Sequence, residues 1–165
     1  MPPSAASVRS LCPGVVDWVR ARLEKAWGSV FVARKGELLD ASSLPGFVAE
    51  VEGAAVGLSV VAARGQEYEV VAISTTLESH GEGRSLLQTC VDDARSLECR
   101  RVWLTTTNNN VRAFAFYQRF GMDLCAFHRH GVNLSRRVKP TIPFRDEFGV
   151  AIAHELEFEL ILGSE

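Results

Sequence analysis

Apolar and polar positions along the chain change period repeatedly, and each change marks an element. After a polar start and a short strand-like stretch, SVRSLC, the residues Val15, Val16, Val19, Leu23, Ala26 and Trp27 recur at helical spacing and stop at Gly28. That spacing predicts an amphipathic helix. The runs SVFVAR, GFVAEVE, AAVGLSVVAAR and YEVVAIST, separated by turn-like KGE, EG and RGQE, predict an antiparallel meander whose last two strands are apolar enough for the sheet centre. Leu86, Leu87, Cys90, Val91, Ala94 and Leu97 form a second helical stripe starting near Gly83, and the strand RRVWLTTT follows it. This is a strand, helix, strand crossover, so its flanking strands are expected to be parallel and adjacent. The stretch NNNVRAFAFYQRFG predicts an Asn-capped helix carrying Ala113, Phe114, Phe116, Tyr117 and Phe120 and ended by Gly121, with DLCAFH continuing as a strand. Residues 129–149, containing RRVK and KPTIP, read as a long irregular loop. AHELEFELIL then sets Glu155, Glu157 and Glu159 against Leu156, Phe158 and Leu160, the alternation of a half-buried strand.

Composition narrows the class. A chain of 165 residues that is 47% hydrophobic has material for one sizeable core, so a single domain over 1–165 is expected. A formal net charge of -2 gives no global positive field, which argues against nucleic acid or an anionic membrane as partner. No run approaches the roughly 20 apolar residues of a membrane helix, and MPPSAASVRS lacks the order of a signal peptide, so the expected location is cytoplasmic. Cys12, Cys90, Cys99 and Cys125 form no C-x-x-C pair and read as reduced thiols. His128 and His130 share a strand face without a third ligand, and His154 has Phe158 four residues on, so no metal is expected.

The chemistry-bearing stretch is LESHGEGRSLLQTCVDDA. A dinucleotide fingerprint would need a glycine at Leu86 and an acidic residue closing the next strand, where TTT stands; a P-loop would need Gly-Lys-Ser or Gly-Lys-Thr. What remains is a strand, a glycine-bearing loop and a helix whose first turn, Gly83, Arg84 and Ser85, offers unpaired backbone N–H groups at the positive end of the helix dipole. Such a junction suits a pyrophosphate, and it equally serves only to start a helix.

The second motif bears on that choice. In NNNVRAFAFYQRFGM the residues Asn110, Ala113, Tyr117 and Gly121 stand at intervals of three, four and four. With the loop ESHGEG, Glu78 to Gly83, they resemble the GNAT-type N-acetyltransferase family, specifically over residues 67–128. The resemblance implies an α/β (α+β) GNAT fold: a mixed, mostly antiparallel sheet of about six or seven strands with one parallel pair, flanked by helices. It implies acetyl-CoA as co-substrate, its pantetheine arm along VVAIS near the main chain of Val71 and Ile73, and its pyrophosphate held by Ser79, His80, Gly81, Glu82, Gly83, Arg84 and Ser85, with Asn110 nearby. Two departures stand out: Glu78 replaces the usual Arg or Gln, and Met122 the usual Phe.

Tyr117 matches the family's general acid; it also stands at core spacing with Phe114 and Phe120. Glu69, and after it Glu67, are candidate bases, two apart on one strand face and acting directly or through water. Arg136, Arg137 and Lys139 either recognise an acceptor's carboxylate or phosphate or form a solvated surface, and a basic loop disfavours a polycationic acceptor. The expected activity is direct acetyl transfer to a primary amine of a small molecule in a ternary complex. The alternatives are a protein N-terminus or lysine as acceptor, or a non-catalytic acyl-CoA-binding module. Exposed edge strands, 153–162 among them, offer a route to a homodimer.

Overall fold

The protein was analysed as a computed structural model, which describes residues 5–76 and 81–163. Its main sheet runs β1 (Ser7–Ser10), β4 (Gly46–Val51), β5 (Ala54–Arg64), β6 (Glu67–Thr75), β7 (Arg101–Thr107), β9 (Glu155–Ile161), β8 (Asp123–His128) in spatial order, seven strands in all. Among the described residues only β6 and β7 pair in parallel; the other pairings in the sheet are antiparallel. The crossover between them is α2 (Glu82–Ser96), as the change of hydrophobic period requires.

Helices cover both faces. On one, the α2 stripe Leu86, Leu87, Cys90, Val91 and Ala94 is buried, and α3 (Val111–Phe120) adds Phe114 and Tyr117 against Phe158. Each such Leu withdrawn from water contributes about 1.5–3 kcal/mol. Burial pushes the Cys90 thiol up to about 12, that of a packed rather than reactive group. Across the sheet, α1 (Val16–Trp27) inserts Val19 and Leu23 over Leu58, Val60 and Ala72 and ends at Gly28 with φ +77°, which only a side-chain-free residue adopts without strain.

Three elements differ from the sequence reading. SVFVAR supplies β2 (Phe31–Arg34), which does not join the meander: it pairs with β3 (Glu37–Asp40), a strand the period had not marked, in a separate two-stranded sheet turned at Lys35 and Gly36. Residues 129–149 contain α4 (Gly131–Val138), whose eight residues are too few for a clear helical period. The stretch 153–162 is not an edge, because β9 lies between β7 and β8 and leaves β8 at the margin.

The half-buried reading of β9 also needs correction. Glu155 and Glu157 are buried, because β2, the Lys35 turn and α4 cover their face. Glu155 accepts from Ser135 Oγ at 2.6 Å and from the Lys35 backbone N–H at 2.9 Å. The strand period reported alternation correctly, but long-range pairing set the exposure of each side.

Candidate active site

The site begins where two strands part. β6 and β7 are in register only at Glu67 with Arg101, Tyr68 with Val102 and Glu69 with Trp103. Beyond those rungs both strands continue, to Thr75 and Thr107, without pairing to each other. A bulge accompanies the parting: Val60 opposes Ala72 and Val61 opposes Val70, so Val71 is the extra residue. Val70 packs toward α2, Val71 and Ala72 toward α1, and Ile73 again toward α2. The side chains of Val71 and Ile73, whose main chains the resemblance sets beside the co-substrate, therefore face opposite sides of the sheet.

The cleft beside this opening has a volume of about 820 Å3 and is lined by Ile73 to Thr75, Gly81 to Arg84 and the α3 residues Asn110 to Ala113, Ala115 to Tyr117, Arg119 and Phe120. It brings together Ile73, Gly81, Glu82, Gly83, Arg84, Asn110 and Tyr117 from the expected set. Ser79 and His80, like Glu78, lie outside the described residues. A larger hollow of about 1100 Å3, lined by Gln66, Arg95, Glu98 to Arg100 and Ile161 to Gly163, lies at the other end of the parallel pair and shares none of these residues.

Gly81 caps α2 with φ +76°, a conformation that favours glycine, and a Cβ there would meet nothing within 4 Å. Ser85 N–H donates to Gly81 O at 2.9 Å, so it closes the first turn and is not a free donor. The donors open to an anion are those of Glu82, Gly83 and Arg84. A Cβ on Gly83 would sit in ordinary contact with Phe116 and Thr75 at 3.5–3.8 Å, so any larger side chain would project against Phe116 or into the cleft. The Glu82 carboxylate is buried, with no hydrogen-bond partner for either oxygen among the described residues. Positive charge comes from Arg84, which lies over the Phe120 ring at 5.3 Å, and from Arg112 and Arg119. The last two were missed from sequence, although seven residues apart on a helix means one face. These features fit a co-substrate that carries a pyrophosphate.

Asn110 caps α3, its Oδ1 accepting from Ala113 N at 3.2 Å. Tyr117 is 6% exposed, edge-packed on Phe116 and tilted against Phe158, yet it lines the cleft, and its hydroxyl has no protein partner among the described residues. Burial raises its pKa above the ordinary tyrosine value, so the phenol stays protonated near neutrality. Structure thus gives the residue both a packing and a donor position.

Glu69 and Glu67 do share a face, opposite the cleft helices, and neither is free. The Arg34 fork holds both Glu69 oxygens at 2.7 Å, with both side chains buried. Burial disfavours the Arg34 charge, but its hydrogen bonds to Glu69 and then Glu37 prevail and raise its pKa. Glu67 accepts from Arg101 at 3.0 Å and is about half exposed. Arg101 also binds Glu157 at 2.6 Å and Glu159, and Lys35 lies over Trp103 at 4.8 Å. Arg34 and Arg101 carried no local signal, since their partners are distant in sequence.

The basic segment has a structural task. Lys139 Nζ donates to the carbonyls of Trp27 and Phe31 at 2.6 and 2.7 Å. Arg136 donates to those of Ile142, Pro143 and Ile152 and stacks on Phe144. Asn108 fastens the same segment to β7, with Nδ2 donating to Ala151 O and Oδ1 accepting from Ala153 N and His154 N. Two of the three cations are thus engaged by carbonyls, and only Arg137 of the three is exposed.

A seven-stranded mixed sheet that opens at one parallel pair, a glycine-capped helix at the opening and an Asn-capped helix with an inward tyrosine define an acetyltransferase fold. The sequence model of the Acetyltransferase (GNAT) family matches residues 13–122, and the chain belongs to that family: it is an acetyl-CoA-dependent acetyltransferase. It is 34% identical over 139 residues to the uncharacterized protein YdhI of Bacillus subtilis (strain 168), covering 84% of this chain and 87% of that one. The protein YxbD of the same organism is 28% identical over 146 residues, with 88% and 92% covered. Among solved structures, the IAA acetyltransferase from Bacillus cereus ATCC 14579 superposes with a TM-score of 0.70 at 17% identity, covering 96% of this chain and all of that one. A GNAT family acetyltransferase from Elizabethkingia anophelis with acetyl-CoA bound gives 0.68 at 12%, covering 95% and 98%. Among the described residues no group of three His, Cys, Asp or Glu stands as a metal site, and no helix is long and apolar enough to cross a membrane.

Proposed function

We propose that residues 1–165 act as one catalytic domain that transfers the acetyl group of acetyl-CoA to a primary amine of a small cationic molecule, directly and in a ternary complex in the cytoplasm. The observation that carries this reading is the opening between β6 and β7, with a tyrosine hydroxyl on one side and a carboxylate-rich face on the other. On that face Glu37, Glu67, Glu69, Glu155, Glu157 and Glu159 are interleaved with Arg34, Lys35 and Arg101, and Arg22 reaches the open end of β6 from α1. The carboxylates there are the groups that suit an ammonium. The basic segment, being used internally, no longer argues against a cationic acceptor.

In the reaction the pantetheine arm lies along the unpaired edge of β6, where main-chain N–H groups near Val71 polarise the thioester carbonyl. The acceptor ammonium gives its proton to Glu69, or to Glu67 in its stead, through a water. Arg34 leaves each Glu69 oxygen a second acceptor direction, which makes the relay suitable. The amine nitrogen then attacks the carbonyl carbon, the adduct's nitrogen gives its extra proton to solvent, the carbon–sulfur bond breaks, and the departing thiolate takes a hydrogen bond and finally a proton from Tyr117, whose oxygen solvent reprotonates. The first test is free-thiol release from acetyl-CoA over a panel of amines and lysine peptides. Turnover with small polyamines and none with peptides is expected; the reverse transfers the reading to protein acceptors, and silence with every amine leaves a binding module.

Two variants probe the halves of the site. Gly83→Val adds methyl groups between α2 and Phe116, narrowing the cleft at the phosphate end, and is expected to weaken acetyl-CoA binding at least about tenfold, ~1.4 kcal/mol. Unchanged affinity by calorimetry in a folded variant would remove the pyrophosphate from this loop. Glu69→Gln and Glu67→Gln separate the base candidates: one of them is expected to lower the rate by about 10² and flatten the acid limb of the pH profile. A limb unaltered even in the double variant moves the base elsewhere.

A further inference from the structure

The open end of β6 is held from the α1 face of the sheet. Thr76 N–H donates to Val56 O at 2.7 Å, toward β5. In a planar trans peptide the preceding carbonyl points the opposite way, so Thr75 O is directed to the side where β7 has parted. Arg22, in α1, takes that carbonyl: its Nη2 donates to Thr75 O at 2.8 Å while its Nε donates to Ser74 Oγ at 2.8 Å. The Thr75 methyl group lies toward Gly83 of α2, and side chains alternate along a strand, so the Ser74 hydroxyl lies on the α1 face. The guanidinium thus bonds a hydroxyl on one face and a carbonyl on the parted edge. Its helix is itself fixed to the sheet through Val19 and Leu23.

We propose that Arg22 is a positioning residue for the co-substrate: it stands in for β7 at the last carbonyl of β6 and thereby sets the register in which the pantetheine arm bonds to that strand. The inference rests on the reading of the opening as the track of the arm. Main-chain groups of successive strand residues point to alternate edges. Between the bulge at Val71 and the engaged carbonyl of Thr75, the residue directed into the opening is therefore Ile73, which has no ladder partner among the described residues. An amide of the arm bonds there and is kept from sliding toward Thr75. A guanidinium suits the task, because two parallel donors in one plane fix direction as well as distance, which an ammonium does not reproduce. Without the fork, a strand end with β5 as its one neighbour frays, and the edge is ordered only when the arm arrives, at a cost in affinity.

Calorimetry on the full chain with acetyl-CoA, and with the phosphoadenosine diphosphate half of coenzyme A, which lacks the arm, tests this. Arg22→Lys, which keeps the charge and loses the fork, and Arg22→Met are both expected to weaken acetyl-CoA by about tenfold and the nucleotide half by less than about threefold. Ser74→Ala removes one of the two anchors, leaves α1 untouched and is expected to weaken acetyl-CoA by about threefold, so a poorly folding arginine variant does not decide the matter. In steady state the loss falls on the KM for acetyl-CoA, with kcat at saturation within about twofold. Equal weakening of both ligands, wild-type affinity in Arg22→Lys, or a defect confined to kcat overturns the proposal. Unchanged acetyl-CoA affinity in all three variants beside a loss in Gly83→Val also overturns it and leaves the co-substrate site standing; no loss in Gly83→Val either removes both.

Discussion

Arg34→Met is expected to lower the unfolding free energy by about 3–5 kcal/mol, the largest stability effect of any single change discussed for this chain. The reasoning concerns what stays behind. Arg34 and Glu69 are 8% and 6% exposed at their side chains and share a two-bond fork, so their charges satisfy one another away from bulk solvent. Removing the guanidinium leaves a carboxylate under β2 with nothing to pair it, and an uncompensated buried charge is the expensive condition, not the lost attraction. The double variant Arg34→Met, Glu69→Leu should accordingly recover most of the loss. Urea unfolding of the two singles and the double closes the cycle. A single-variant loss under about 1 kcal/mol means that bulk solvent screens the pair and that the fork contributes little.

Tyr117→Phe is expected to lower kcat by about 10 to 10³ fold while leaving acetyl-CoA affinity nearly unchanged. The ring keeps its contacts with Phe116 and Phe158, so packing survives and only the hydroxyl goes. With its pKa raised by burial, the phenol is a firm donor and a reluctant acid. A thiol titrates near 8.5, so the first benefit is a hydrogen bond to the forming thiolate, completed by a proton that solvent restores to the ring oxygen. Steady-state kinetics with thiol detection, beside calorimetry of acetyl-CoA binding, separates the outcomes. Full turnover with a lower melting temperature assigns Tyr117 to the core alone.

What the sequence revealed follows from the range of the forces involved. Helices with clean apolar stripes, their Gly28 and Gly121 stops and the Asn110 cap are local matters, and each appears where period and capping chemistry put it. The parallel pair follows from handed crossover geometry, another short-range rule. β3 escaped because Glu37–Asp40 contains only Leu38 and Leu39 between acids, and α4 because eight residues hold barely two turns. The glutamates were seen, but their arginines were not, since Arg34 is 35 residues from Glu69 and Arg101 is 56 from Glu157. Lys139 misled for the same reason: a cation that satisfies carbonyls more than a hundred residues away looks identical, in one dimension, to one facing solvent.

Three rungs between β6 and β7 are a narrow seam for a sheet of seven strands. Amides on the parted edges have no ladder partner among the described residues, so they exchange with solvent without global unfolding. A co-substrate arm laid along that edge, as proposed, would supply the missing rungs, and binding would then be the closing step of sheet assembly. The folded population is tied by mass action to acetyl-CoA supply, gaining about 2.7 kcal/mol when the ligand stands at a hundred times its Kd. Were acetyl-CoA to run low, this linkage would leave more of the chain open along the seam.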